Sequence, residues 1–191
     1  MPDPKTIDRQ DVGLLLRALK FAAEKHRHQR RKDKEQSPYI NHPIEVAERI
    51  WNVGQHQDIN VICAALLHDT VEDTDATFEE IEEAFGQTIA DLVKEVTDDK
   101  SLPKAQRKQL QVEHAPHLSQ GAKHIKLADK TCNIKDIFRS APPDWSVERR
   151  SEYLLWTERV ISTIHGTNIA MEAEYYSMLA QAKKSLETKE G

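Results

Sequence analysis

Residues 58–73 read Asp58-Ile59-Asn60-Val61-Ile62-Cys63-Ala64-Ala65-Leu66-Leu67-His68-Asp69-Thr70-Val71-Glu72-Asp73, and this stretch decides the fold class. Asp58 stands as a helix N-cap. The run 61–67 that follows is apolar on every side of a helix, so that helix is buried. It passes straight into four ionisable side chains within six positions, His68, Asp69, Glu72 and Asp73. On a helix, positions i, i+3 and i+4 share a face, which points Asp69, Glu72 and Asp73 the same way. Three crowded carboxylates repel one another unless a cation or proton compensates. On the residues alone, a solvated acidic helix end and an ion-binding site both fit. Carboxylates at a helix C-terminus also oppose the macrodipole, which tips the reading towards a site.

The flanking sequence keeps the helical period. In 8–29, Val12, Leu15, Leu16, Leu19, Ala22 and Ala23 form one stripe, ending in the basic cluster 26–34 and the breaker Ser37-Pro38. Pro43 suits the first turn of a helix over 43–53, with Gly54 as its stop. Thr77-Phe78-Glu79-Glu80 matches a capping box, and Gly86 separates that short helix from one ending at Val96. A polar loop covers 97–103, and a charged helix over 104–113 is interrupted near Pro116. Ser119 opens a helix to Asp136, and Pro142-Pro143-Asp144 marks a loop. Ser146 caps a helix over 146–165 with Gly166 as its stop, and a last helix covers 168–186. No strand-period run and no repeat occurs. The expectation is an all-α fold, a single compact helical domain of about nine helices over 8–186, with tails at 1–7 and 187–191. Trp51, Trp156 and Tyr175 read as core, whereas His56, His114, His117, His124 and His165 read as surface or capping residues.

Composition narrows the function. At 191 residues the chain can bury a core without disulfides or a structural metal. Apolar residues are 38%, charged residues 31%, with six Gly and eight Pro, which excludes a disordered chain. A net charge of −5 argues against a strongly basic nucleic-acid or membrane binder. The cluster at 26–34 reads as a basic helix end rather than a nucleic-acid patch. No apolar run approaches the roughly 18 residues of a membrane span, and the N-terminus lacks the apolar core of a signal peptide. Cys63 and Cys132 make no disulfide framework and read as small buried hydrophobes, consistent with a reducing cytoplasm.

A metal needs more ligands than one His-Asp pair. His42, just before Pro43, and Asp129, after Ile125-Lys126-Leu127-Ala128, would complete a two-nitrogen, two-oxygen set with His68 and Asp69. Such a set suits Mn²⁺, Fe²⁺ or Zn²⁺ better than Ca²⁺ or Mg²⁺. Ligands this scattered are a weak signal by spacing alone.

Three segments in order carry a resemblance: Tyr39-Ile40-Asn41-His42-Pro43-Ile44, Ala65-Leu66-Leu67-His68-Asp69-Thr70-Val71-Glu72-Asp73-Thr74, and Lys126-Leu127-Ala128-Asp129-Lys130-Thr131-Cys132-Asn133. With the preceding Arg30-Arg31-Lys32-Asp33, they resemble the hydrolase domain of the RelA/SpoT family, in the HD metal-dependent phosphohydrolase superfamily. The resemblance spans about residues 8–185 and leaves no room for a synthetase domain or regulatory tail. A stand-alone small alarmone hydrolase is therefore expected, and 97–104 with 111–117 look closest to the metazoan-type branch.

The resemblance implies roles. His42, His68, Asp69 and Asp129 match ligands of one divalent ion, usually Mn²⁺. Glu72 and Asp73 match the acidic pair that positions and activates the attacking water. Asn133 matches a residue at the ribose, and Arg31 and Lys32 a basic pair beside the base and ribose. Tyr153, Lys100, Lys104, Arg107 and Trp145 match groups around the phosphates and nucleotide. The implied activity belongs to the stringent response: hydrolysis of the 3′-pyrophosphate of ppGpp or pppGpp to GDP or GTP. The same centre acting on adenosine alarmones or on the 2′-phosphate of NADPH is the alternative, and a non-catalytic nucleotide-sensing module a third reading. The expected partner is a small nucleotide, with no nucleic acid and no membrane, and the oligomeric state is open. Lys130-Thr131-Cys132 departs from many relatives, but every ligand and acidic-pair position is intact.

Overall fold

A computed structural model of the chain describes residues 8–33 and 35–187. Among these the fold is all-helical: α1 (Arg9–Lys25), α2 (Asn41–Asn52), α3 (Ile59–Leu67), α4 (Thr70–Asp73), α5 (Phe78–Phe85), α6 (Gln87–Val96), α7 (Lys104–His114), α8 (Gln120–Ser140), α9 (Val147–Ser162) and α10 (Ile169–Glu187), with a 3₁₀ turn at Ala115–His117. One isolated bridge, Arg30 with Pro38, is the only β pairing among the described residues. No helix among them is long and apolar enough to cross a membrane. Residues 1–7, Lys34 and 188–191, where the expected tails and the end of the basic cluster fall, lie outside the described residues. Glu187, read as tail, belongs to α10.

The nine expected helices are all present, and four of their caps act as the sequence predicts. Asp58 accepts from Asn60 N (2.9 Å), Ser119 Oγ from Ala122 N (3.3 Å) and Ser146 Oγ from Arg149 N (3.2 Å). Thr77 and Glu80 form the reciprocal capping box. The 61–67 run is buried throughout, as expected of the central helix. Around it pack α1, α2, α6 and α8, while α8 also packs against α10 and α9. Each fully buried Leu or Ile in this core contributes roughly 1.5–3 kcal/mol. Gly54 follows α2 because a side chain there would collide: a Cβ would lie 2.6 Å from Ile50 O and 2.7 Å from Met171 Sδ.

Three helices stop earlier than their sequence period: the one expected to reach His165 ends at Ser162, and two others fall short by four residues or more. The first ends at Lys25, so 26–29 is a turn outside the helix. The third ends at Leu67, not Asp73, and Thr70–Asp73 forms a separate single turn, the tenth helix. The cause is local chemistry. His68 Nδ1 reaches Ala65 O (2.7 Å) and the Thr70 hydroxyl donates to Leu67 O (2.7 Å), so side chains take up carbonyls at the end of α3. Asp69 sits at φ −101°, ψ −2°, at the bridge-region edge of the helical basin.

Two readings of side-chain burial are corrected. Trp51 is 49% exposed, because α2 turns that face away from α3 and α8. His124, read as surface, is buried with its ring stacked on His56 at 4.4 Å. Trp156, Tyr175, Cys63 and Cys132 are buried as expected.

Candidate metal centre and active-site cavity

The packing of α2, α3 and α8 brings three distant segments together. His42 comes from the first turn of α2, His68 and Asp69 from the break after α3, and Asp129 from the middle of α8. His42, His68 and Asp69 each offer a ligand atom within 4.8 Å of the others. Asp129 Oδ1 faces the same point, 3.2 Å from His42 Nε2 and 3.9 Å from His68 Nε2. Asp69 Oδ2 lies 3.1 Å from His68 Nε2 and 3.8 Å from His42 Nε2.

Whether this group suits a cation is tested by its unused atoms. His68 Nδ1 is committed to Ala65 O, which leaves Nε2 to face the two carboxylates. That Nε2 is buried and has no hydrogen-bond partner, the condition of an imidazole nitrogen kept for another ligand. Burial pulls the His68 imidazole down, but the Asp69 carboxylate, then Asp129, outweigh it and push it up to about 9. Burial also opposes ionisation of Asp129, yet Lys130, then His42 and His68, hold it well below the usual carboxylate range. Two buried carboxylates here demand positive charge, and the two-nitrogen, two-oxygen donor set fits a divalent ion. Three further contacts fix the ligands. Tyr39 OH donates to Asp69 Oδ2 (2.5 Å), Asn133 Nδ2 to Asp129 Oδ1 (2.6 Å) and Lys130 Nζ to Asp129 Oδ2 (2.9 Å).

A cavity of about 180 Å³ opens on this cluster, lined also by Glu72, Asp73, Asp98, Gln111, Lys126 and Asn133. The acidic pair therefore reaches the same space as the ligands, although a helix break separates Asp69 from Glu72. Glu72 Oε2 accepts from Asp98 N (3.1 Å), and Arg107 Nη1 lies 3.7 Å from Glu72 Oε1. Burial, then the nearby Asp69 charge, pushes the Glu72 carboxyl up, against the Asp98 amide. Asp73 Oδ2 accepts from Gln29 Nε2 (3.0 Å), and Lys100 Nζ pairs with its Oδ1.

A second cavity of about 390 Å³ adjoins the first across Tyr39, Asp73 and Asn133. Arg31, Lys32, Trp145 and Tyr153 line it. Arg31 pairs with Asp136 and lies over the Tyr39 ring at 5.5 Å. Trp145 and Tyr153 stand 5.6 Å apart, and Arg149 lies over the indole at 4.4 Å. Burial pushes the Tyr153 phenol up to about 12, so it is a neutral hydrogen-bonding group. Of the residues singled out in the sequence, Lys100, Lys104 and Arg107 line neither cavity: Lys100 and Arg107 reach the site as ion partners of Asp73 and Glu72, whereas Lys104 is set apart, exposed at the start of α7. The sequence reading gave no role to Tyr39, Gln29, Lys126 or Gln111. Tyr39 and Lys126 stood inside the resembling segments, which was the available signal. Gln111 stood in the segment 111–117 that resembles the metazoan-type branch, whereas Gln29 carried none, since a lone Gln on a polar stretch is ordinary.

Comparison with known proteins agrees. The family model "HD domain" matches residues 18–154. The guanosine-3′,5′-bis(diphosphate) 3′-pyrophosphohydrolase MESH1 of Danio rerio is 54% identical over 170 residues, covering 89% of this chain and 94% of that protein. The protein of the same name from Homo sapiens is 56% identical over 162 residues, covering 85% and 90%. A solved structure described as "A metazoan ortholog of SpoT hydrolyzes ppGpp and plays a role in starvation responses" matches with a TM-score of 0.86 at 46% identity, covering 88% of this chain and 94% of that one. This chain belongs to the HD-domain family, and within it to the metazoan-type hydrolases related to SpoT.

Proposed function

We propose that this chain hydrolyses the 3′-pyrophosphate of guanosine alarmones, converting ppGpp to GDP and pppGpp to GTP with release of pyrophosphate. The observation that carries the reading is a juxtaposition. The two-His, two-Asp cluster and the Glu72–Asp73 pair share one cavity, which opens directly onto a cationic, aromatic nucleotide-sized cavity. Relatives above 50% identity bear the name of this activity.

In this reading His42, His68, Asp69 and Asp129 would hold one divalent ion, Mn²⁺ by the family resemblance, from a donor set that suits Mn²⁺, Fe²⁺ or Zn²⁺. That ion supplies a more acidic water and offsets charge on the phosphoryl oxygens. Asp73 or Glu72 takes the proton as the water oxygen bonds to phosphorus and the bond from phosphorus to the ribose 3′-oxygen breaks. The buried Glu72 carboxyl, pushed up by its surroundings, is the member of the pair suited to return a proton to that 3′-oxygen. Asn133, between the cavities, meets the ribose. Arg31, Lys32, Trp145 and Tyr153 hold the nucleoside, and Lys100 and Arg107 take the phosphates. Residues 8–186 act as one catalytic unit in a reducing cytoplasm, with a small nucleotide as partner.

The test is pyrophosphate release from ppGpp by purified protein with Mn²⁺, beside an EDTA control. ppApp and NADPH run in parallel. EDTA-sensitive release from ppGpp is expected. Asp69→Asn should lose metal and turnover together, whereas Glu72→Ala and Asp73→Ala should keep metal and lose turnover. Turnover of ppApp or NADPH alone would move the substrate, and silence on all three would leave a nucleotide-sensing module.

A further inference from the structure

The turn between α1 and α2 carries two side chains that the reaction has not used. His26 is 2% exposed, with its Nδ1 2.6 Å from Gln29 Oε1. Gln29 in turn donates from Nε2 to Asp73 Oδ2 at 3.0 Å. The backbone of the turn is pinned on both sides, Gln29 N donating to His26 O (2.9 Å) and Tyr39 N to Gln29 O (3.2 Å). The His26 ring also packs against Tyr39, tilted by 34° at 4.8 Å, and Tyr39 donates to the candidate ligand Asp69.

A glutamine amide is nearly symmetric in shape, so its neighbours decide which end faces which partner. A carboxylate can only accept, and the NH₂ end must face Asp73. The carbonyl end then faces His26, and the imidazole must donate from Nδ1. Burial keeps the imidazole neutral with a single proton. Its Nε2 is buried with no partner, so a proton there would be unsatisfied, and the proton belongs on Nδ1. Both ends of the chain thus require the same tautomer and the same amide orientation.

We propose that His26 and Gln29 are positioning residues for Asp73: His26 fixes the Gln29 amide, and the amide fixes Asp73 with Oδ1 turned to the attacking water. This rests on the role given to Asp73 above. The other contact of Asp73 is of a different kind. Lys100, which meets Oδ1, is 49% exposed on the 97–103 loop and free to turn to a phosphate. Oδ2 is then held by the buried arm while Oδ1 is released to the water. A flipped amide would put two acceptors face to face and turn the carboxylate away.

The experiment is a mutant cycle read by steady-state kinetics on ppGpp. Gln29→Met keeps length and removes the donor. His26→Phe keeps a ring against Tyr39 and removes Nδ1. Each should lower kcat about tenfold, the size of one charge-assisted hydrogen bond, with KM and Mn²⁺ affinity within about twofold. The double variant should lose no more than either single, because both cut one chain. His26→Asn, whose amide nitrogen can stand where Nδ1 stands, should recover most of the rate. If His26→Phe does not fold, Gln29→Met reads the same link from the partly exposed turn. Wild-type kcat in Gln29→Met beside an inactive Asp73→Asn would overturn the proposal alone. So would losses that multiply in the double variant or that track metal affinity. Normal turnover by Asp73→Asn would overturn the role of Asp73 itself, and the positioning arm with it.

Discussion

Thr70→Val tests the break that builds the site. Thr70 is fully enclosed, and its hydroxyl donates to Leu67 O at 2.7 Å. Valine keeps the shape and removes the donor. A methyl carbon approaches a carbonyl oxygen no closer than about 3.3 Å, so the α3–α4 junction must open by about 0.6 Å or the side chain must turn. The lost bond costs about 1–3 kcal/mol, and the added apolar carbon offsets about 0.8 kcal/mol at most. A net loss of about 1 kcal/mol, the middle of that range, corresponds to a melting temperature about 2–4 °C lower in a chain of this length. The junction also aims Glu72 and Asp73, so kcat should fall about tenfold, a misplacement effect larger than the stability change alone explains. Thr70→Ser keeps the hydroxyl and should keep kcat within about twofold. The assay is a thermal melt by circular dichroism with steady-state turnover of ppGpp at saturating Mn²⁺. Unchanged melting and unchanged kcat in Thr70→Val would refute the claim that this hydroxyl makes the break.

Three further outcomes follow from particular contacts. Gly54→Ala should lower stability by about 2–3 kcal/mol in a urea titration, because its Cβ would lie 2.6 Å from the Ile50 carbonyl, a backbone atom that cannot yield; an unchanged midpoint would contradict this. Burial, then His56, lowers the His124 proton affinity. The unfolded chain therefore takes up the proton more readily, and this contribution to stability is full above about pH 6.5 and lost as pH falls. His124→Gln should flatten the loss of urea midpoint between about pH 7.5 and 5.5, and an identical slope would show the pair is not the source. In the proposed reading, the cavity at the candidate metal site, lined by Asp69, Glu72, Asp73, Asp98 and Asp129, receives a highly anionic guest. EDTA should weaken ppGpp binding about tenfold or more while leaving GDP within about twofold, since only the former carries a pyrophosphate into that cavity; equal weakening of both would place the cation's effect on the whole pocket.

Much of the fold was legible because its signals are local. Asp58, Thr77, Ser119 and Ser146 cap helices through bonds spanning two or three residues, and the run 61–67 carries its own burial in its composition. The candidate ligands were legible only as a set resembling a family, since 26 residues separate His42 from His68 and 60 separate Asp69 from Asp129. What was not legible depends on contacts between elements. Trp51 has the spacing of a core residue, but no helix among the described residues covers it, and it is 49% exposed. His124 looks polar in sequence and is buried only because α8 sets it against His56. Gln29 is an unremarked polar residue until the fold carries it to Asp73, 44 positions away.

The early exits of the first and third helices share one physical lesson. Hydrophobic period extends the first helix to about 29 and the third to about 73, and in both places the chain leaves the helix early. Each exit places side chains that a continuous helix would have spread around its axis. Leaving at Lys25 lets His26 fold under Tyr39 while Gln29 turns to Asp73. Leaving at Leu67 lets His68 and Asp69 converge on one point while Glu72 and Asp73 still line the same cavity. The donors that end α3, the His68 ring and the Thr70 hydroxyl, flank Asp69 itself. Termination and site-building are thus one set of bonds. Local pattern and tertiary structure part company where side-chain hydrogen bonds replace backbone ones, and in this chain those are the places where the chemistry is assembled.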